Sequence, residues 1–96
     1  MITQVVFYIC NEGQREIFWH DIISEKIDKD GKEEIGNIHY SFFSSLENKN
    51  IILLVESWKD AQSLDCHYES ETFKKLGVLK KKYVRQTIIE NYTNNI

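Results

Sequence analysis

Hydrophobic and polar residues follow two different periods along the first third of the chain. Residues 2–10 read ITQVVFYIC, a run of β-branched and aromatic residues that ends at the turn residues Asn11-Glu12-Gly13. Such a run predicts a strand followed by a turn. Over residues 14–29 the apolar positions recur at spacings of three and four, at Phe18, Trp19, Ile22, Ile23 and Ile27. This spacing predicts an amphipathic helix, which Asp30-Gly31 is expected to end.

The rest of the chain predicts three more strands and a second helical region. Residues 37–45, NIHYSFFSS, and residues 51–58, IILLVESW, are strand-like runs separated by the short polar loop LENKN. They should pair antiparallel as a hairpin. Asp60 is an N-cap residue for a helix, and Ser70 can cap its continuation after a kink near Glu69. Residues 83–92 predict a fourth strand, which leaves residues 93–96 as a tail.

This order of elements predicts the fold class. Strand, helix, strand, strand, helix, strand is the ferredoxin-like split βαβ arrangement, an α+β sandwich with both helices on one face of a four-stranded antiparallel sheet. The second and third strands carry apolar residues at both parities, as Phe42 and Phe43 and the run of residues 51–55 illustrate. Both faces of the sheet should therefore be covered. Two sheets packed face to face in a homodimer would cover the second face.

Length, composition and charge exclude several classes of protein. The 96 residues, 42% hydrophobic and 28% charged, are expected to form a single folded domain over residues 1–96. The net charge of -3 argues against a nucleic-acid partner. No run approaches the roughly 18 apolar residues that cross a bilayer, so a cytoplasmic protein with no membrane partner is expected. Cys10 and Cys66 lack metal-site spacing, so free thiols and no metal site are expected.

Glu56 and Trp58 point to possible chemistry because they interrupt an apolar run. Side chains alternate across a strand, so Ile52, Leu54, Glu56 and Trp58 share one face. If that face meets the helices, Glu56 and Trp58 line the space between sheet and helix. The alternative is structural, with Trp58 closing the end of the core and Glu56 lying on an open edge.

His67 is the histidine best placed for chemistry. It follows Leu64 by three residues and precedes Phe73 by six, on the apolar side of the predicted helix, so its ring should point inward. There a neutral imidazole can accept or donate a proton. A histidine hydrogen-bonded to the backbone is the structural alternative. His20 and His39 are interpreted as a surface residue and a strand residue.

Residues 36–76 resemble the antibiotic biosynthesis monooxygenase domain family. The stretches GNIHYSFFSS and IILLVESWKDAQSLDCHYESETFKKL carry a glycine and a strand with tyrosine, then E-x-W, L-x-x-H and S-x-x-F, as that family does. The matching positions are Glu56, Trp58, Leu64, His67, Ser70 and Phe73. The resemblance implies a dimeric α/β barrel with a separate pocket in each subunit, between the sheet and the helices.

Departures from the family pattern limit which branch the chain resembles. Relatives include cofactor-free oxygenases of quinols and anthrones, haem-degrading enzymes, and an enzyme that processes a bacterial signalling molecule. The haem degraders carry an asparagine in the first strand and a histidine on the second helix, at positions that hold Val6 and Gly77 here. No haem is therefore expected, since neither residue offers a ligand or a donor. The anthrone-oxidising branch carries an asparagine at the position of Leu54.

The resulting hypothesis is a homodimeric monooxygenase that uses molecular oxygen and no cofactor on a small quinol, phenolic or enolisable substrate. His67 and Trp58 would be catalytic, and the expected pocket residues are Tyr40, Leu54, Glu56, Leu64 and Phe73. The face that Tyr40 occupies depends on a hairpin register that the pattern leaves open. Two alternatives remain: a non-catalytic dimer that binds or senses a small ligand, and a non-oxidative enzyme, such as an isomerase, that processes a small signalling molecule.

Overall fold

The fold is an α+β sandwich, described over residues 1–93 by a computed structural model. The elements in chain order are β1 (Ile2–Cys10), α1 (Arg15–Ser24), α2 (Ile27–Glu33), β2 (Asn37–Ser44), β3 (Ile51–Trp58), α3 (Ala61–Tyr68), α4 (Glu71–Tyr83) and β4 (Val84–Thr93). The strands form one antiparallel sheet in the order β2-β3-β1-β4. This is the predicted ferredoxin-like arrangement. The predicted tail lies outside the described residues except for position 93, which ends β4.

The first helical region differs from the prediction of one helix over residues 14–29 that ends at Asp30-Gly31. The helix stops after Ser24, because Lys26 adopts a left-handed conformation with φ of 60°. The chain then resumes as α2, and Gly31 lies inside this helix. The predicted stop was therefore wrong, and α2 extends the helical region to Glu33.

Gly31 allows α2 to approach the sheet closely. A Cβ atom built at position 31 would overlap the ring of Tyr40 on β2. The glycine is thus required by packing between helix and sheet, whereas the sequence pattern had assigned it to a helix end.

The second helical region breaks at Glu69, as predicted. The side chain of Asp60 accepts a 2.9 Å hydrogen bond from the backbone N–H of Ser63 at the start of α3. Ser70 accepts one of 3.1 Å from the N–H of Phe73 and starts α4. Both residues are N-caps of the expected kind, so each helix begins where its polar cap lies.

The helices pack on one face of the sheet and leave the other face uncovered by any of residues 1–93. The core between sheet and helices contains Val6, Tyr8, Ile52 and Leu54 from the central strands and Phe18, Ile22, Leu76 and Leu79 from the helices. The opposite face presents apolar side chains that are only partly buried, among them Val5, Phe7, Leu53 and Val55, with Phe43 more exposed at 55%. Within the described residues, no helix is both long and apolar enough to cross a membrane.

Candidate active site

Glu56 and Trp58 lie on the helix-facing side of β3, which is one of the two arrangements that the sequence left open. Glu56 is 4% exposed and Trp58 is fully buried, so the carboxylate does not lie on an open edge. The indole N–H of Trp58 donates a 2.8 Å hydrogen bond to Oε1 of Glu56. A carboxylate buried this deeply needs donors, and Trp58 supplies one of them.

His67 lies on α3 between two carboxylates. The imidazole is 1% exposed, with Nδ1 at 2.9 Å from Oε1 of Glu34 and Nε2 at 3.8 Å from Oε1 of Glu56. In the neutral ring, the first contact places the proton on Nδ1, which donates to Glu34. Nε2 then carries a lone pair. The distance of 3.8 Å between Nε2 and Oε1 of Glu56 exceeds hydrogen-bond length, so this lone pair is not engaged by Glu56. The predicted inward orientation of His67 is observed, and the partners of its ring are carboxylates.

Aromatic rings enclose this imidazole on several sides. The ring of Trp58 stacks on it, with centroids 4.6 Å apart and planes inclined by 29°. Tyr40 and Phe73 meet it edge to face, at centroid distances of 5.6 and 5.5 Å. These contacts fix the plane of the imidazole and keep bulk water away from it.

Tyr40 lies on the same face of the sheet, which answers the question that the hairpin register left open. It pairs with Glu56 across β2 and β3, and its side chain is fully buried. Within residues 1–93 its hydroxyl group has no hydrogen-bond partner. Burial raises the pKa of Tyr40, so the phenol keeps its proton and remains a donor. An unpaired buried hydroxyl is suited to holding an oxygen atom of a ligand.

Burial also governs the proton affinity of Glu56. Desolvation raises the pKa of this carboxyl group above its ordinary value of 4.5, and the negative charge of Glu34 adds to the rise. The hydrogen bond from Trp58 acts in the opposite direction, as does the positive charge of His67 when its ring is protonated. The carboxyl group of Glu56 therefore holds its proton more tightly than a solvated one, beside a residue suited to proton transfer.

The remaining predicted pocket residues lie around a cluster of side chains in contact with one another, which consists of Glu34, Tyr40, Glu56, Trp58 and His67. Leu54 and Leu64 are buried, at 1% and 8% exposure, in the same hydrophobic core as Tyr40 and Trp58. Phe73 is 39% exposed, so it lies at the border of the cluster. The structure thus brings together all seven residues predicted for the site, with six of them buried.

Two cavities border the cluster. One, of about 420 Å³, lies between α4 and the start of β4, and Phe73 forms part of its wall. The other, of about 530 Å³, lies beside α3 and includes Glu34 in its wall. His67 does not belong to either lining within the described residues, whereas Phe73 and Glu34, which contact its ring, each belong to one of them.

Glu34 is the residue of the candidate site that the sequence pattern did not predict. It is the C-cap residue of α2 and has an extended conformation. Two positions later, Gly36 has a φ of 83°. The predicted helix ended at Asp30-Gly31, so the prediction did not place Glu34 beside α3. The run Glu33-Glu34 before a glycine was the only available signal, and it is equally typical of a solvated helix end.

Among residues 1–93, no three His, Cys, Asp or Glu side chains are arranged to hold a metal ion. Val6 lies in the core at 4% exposure, and Gly77 faces the cavity beside α4. Neither position presents a side chain that could bind a haem iron.

Comparison with known proteins identifies the family. A sequence model described as antibiotic biosynthesis monooxygenase matches residues 1–77, which include every residue of the candidate site. The chain therefore belongs to the antibiotic biosynthesis monooxygenase family. No match was found among curated proteins.

Solved structures share the fold over nearly the whole chain. A protein from Nitrosomonas europaea, named as a candidate antibiotic biosynthesis monooxygenase, is 14% identical, with a TM-score of 0.89 and full coverage of both chains. A conserved protein from Methanosarcina mazei Go1 is 27% identical, with a TM-score of 0.85, 98% coverage of this chain and 92% of its own. A protein from Pseudomonas aeruginosa is 15% identical, with a TM-score of 0.88 and coverages of 99% and 94%.

Proposed function

We propose that this protein is a monooxygenase that oxidises a small quinol, phenolic or enolisable substrate with molecular oxygen and without a cofactor. The observation that carries the proposal is the buried imidazole of His67, which Glu34 fixes at Nδ1 while Nε2 keeps its lone pair. Membership of the monooxygenase family supports the reaction class. The aromatic surroundings support a flat substrate.

His67 is the proton acceptor in this proposal. Nε2 removes a proton from a hydroxyl group or an acidic carbon of the substrate, and the resulting imidazolium is stabilised by the carboxylate of Glu34. Glu34 acts through His67 and is a positioning residue. Trp58 packs against the imidazole and donates to Glu56, so it keeps both groups in place. The substrate anion can then transfer an electron to oxygen in a site that excludes water.

The overall reaction balances without an external reductant. Two hydrogen atoms of the substrate are replaced by one oxygen atom of O₂, and the second oxygen atom leaves as water with those two hydrogens. The substrate supplies all four electrons that reduce O₂. The protein must therefore bind the substrate, accept its proton and shield its anion, which are tasks that side chains perform alone.

The substrate is proposed to occupy the cavity of about 420 Å³ that Phe73 borders. The Phe73 ring stands between this cavity and the imidazole, with its centroid 5.5 Å from that of His67. Rotation of an aromatic ring that is 39% exposed would bring a ligand into contact with His67. The unpaired hydroxyl of Tyr40 would then offer a hydrogen bond to a ligand oxygen.

The direct test is oxygen uptake by the purified protein with 1-naphthol and anthrone, after treatment with a metal chelator. We expect protein-dependent uptake that falls about 100-fold or more in His67→Ala, the range typical of a lost general base. His20→Ala is the matched control, because the His20 side chain is 77% exposed on α1. Conversion of a substrate at equal rates without oxygen would indicate the non-oxidative enzyme, and tight binding without any product would indicate the sensor.

We propose further that the protein acts as a homodimer. The uncovered face of the sheet carries Val5, Phe7, Leu53 and Val55 as partly exposed apolar residues. Monomeric proteins rarely leave such a contiguous apolar surface in water. The same face on a second copy is complementary to it under twofold symmetry, and packing the two sheets together would bury both.

A further inference from the structure

The cavity between α4 and the start of β4 combines an apolar wall with a concentration of positive charge. Tyr8, Phe73 and Leu76 form the apolar part. Its charged lining residues are Lys80, Lys81 and Arg85, and none of the described lining residues is acidic. The whole chain has 15 acidic and 12 basic residues, so this lining departs from the average charge of the protein. Such a cavity favours a ligand that is both apolar and negatively charged.

Lys80 is the cation placed deepest in this cavity. Its side chain is half-buried, and Nζ lies 5.6 Å from the centroid of the Tyr8 ring. Within residues 1–93, no carboxylate oxygen lies within 4 Å of Nζ. Burial lowers the pKa of Lys80, as expected for an ammonium group partly removed from water with no carboxylate beside it. An anionic group would supply that partner.

Gly77 leaves open space in the middle of the same wall. A Cβ atom added there would meet no atom within 4 Å, although the residue lies inside α4. The cavity volume of about 420 Å³ is within the range of small-molecule sites. A flat bicyclic or tricyclic molecule can therefore lie against Tyr8 and Leu76, over the position where a larger residue would project.

We propose that this cavity binds a flat, apolar small molecule that carries an anionic group, and that Lys80 is the residue that selects for the negative charge. The identification of this ligand with the substrate rests on the proposed function, whereas the binding itself does not. A carboxylate, a phenolate or an enolate would each satisfy the Lys80 ammonium group. Lys81 and Arg85 at the cavity rim would attract the anion.

The charge preference is tested by calorimetric titration of the full chain with 2-naphthoate and with its neutral analogue 2-naphthamide. We expect 2-naphthoate to bind at least about tenfold more tightly, since hydrogen bonds to charged groups exceed neutral ones by this order. Lys80→Gln should remove the difference. Lys74→Gln is the matched control on the same helix, because its Nζ lies at the surface, 3.5 Å from Glu71, and this variant should keep the preference.

The position of the ligand is tested separately at Gly77. Gly77→Phe should abolish binding of both probes by filling the cavity, whereas Gly77→Ala should retain it, with circular dichroism checking that both variants fold. Equal affinities for the two probes, an unchanged preference in Lys80→Gln, or unchanged binding in Gly77→Phe would each overturn the proposal. Binding with the expected preference but without oxygen uptake would count against the proposed reaction and leave this site standing.

Discussion

Nδ1 of His67 lies 2.9 Å from Oε1 of Glu34, although the two residues are 33 positions apart in the chain. The contact joins the residue that follows α2 to the last turn of α3. It determines which nitrogen of the imidazole carries the proton and which one faces the rest of the site. The proposed chemistry of His67 therefore depends on a residue outside the motif that surrounds it.

Replacement of Glu34 tests this dependence. Glu34→Gln keeps a carbonyl oxygen that can accept from Nδ1 and removes the negative charge. Turnover should therefore fall about tenfold to 100-fold, the effect of losing a hydrogen bond to a charged group. Glu33→Gln, at an exposed neighbouring position, should retain full activity. Both rates are measured as oxygen uptake with 1-naphthol, and equal rates in the two variants would contradict the role of Glu34.

The order of the elements, the common face of Glu56 and Trp58, and the inward orientation of His67 could be predicted because each depends on a short-range pattern. Alternation places Glu56 and Trp58 on one face of β3, and the three-residue spacing from Leu64 places His67 on the inner side of α3. The helix break at Lys26 and the position of Gly31 inside α2 could not be predicted from such a pattern. The place of Gly31 follows from the close approach of α2 to Tyr40, which is a tertiary contact. The role of Glu34 could not be predicted either, because its contact with His67 joins residues that are 33 positions apart.

Glu56 should make stability depend on pH. Its pKa is raised by burial, so the folded protein binds this proton more tightly than the unfolded chain does. The stabilisation is therefore complete below the ordinary value of 4.5 and is lost as the pH rises through the higher pKa of the folded state. Glu56→Gln keeps an acceptor for the Trp58 indole and removes the titration.

Urea unfolding at a series of pH values measures this effect. We expect the stability of the wild-type protein to decline relative to Glu56→Gln as the pH is raised from 4.5 toward neutrality. Parallel stability curves for the two proteins across this interval would show that Glu56 does not titrate differently on folding.

The two helical glycines should respond oppositely to alanine. Gly31→Ala places a methyl group against the Tyr40 ring and should lower the free energy of unfolding by about 1–3 kcal/mol. Gly77→Ala adds a methyl group in open space within α4 and should raise it by about 0.5–1 kcal/mol. Thermal or urea unfolding measures both. If Gly31→Ala left the free energy of unfolding unchanged, α2 could not lie as close to the Tyr40 ring as this contact requires.

The uncovered sheet face should produce a dimer in solution. Light scattering at micromolar concentration is expected to give twice the 11.4 kDa mass of one chain. Leu53→Lys, at the centre of that face, should yield monomers, whereas Ile23→Lys should leave the dimer intact, since Ile23 is 47% exposed on α1. A wild-type protein that scatters as a monomer would exclude this interface.

Oxygen isotope labelling tests the central proposal most directly. Anthrone is incubated with the chelator-treated protein under ¹⁸O₂, and the anthraquinone is analysed by mass spectrometry beside a protein-free blank and a His67→Ala sample. We expect one labelled oxygen atom per molecule of product, formed faster than in the blank only when His67 is present. Product formed at the rate of the blank, or product formed with His67 but without the label, would contradict a monooxygenase reaction at this site.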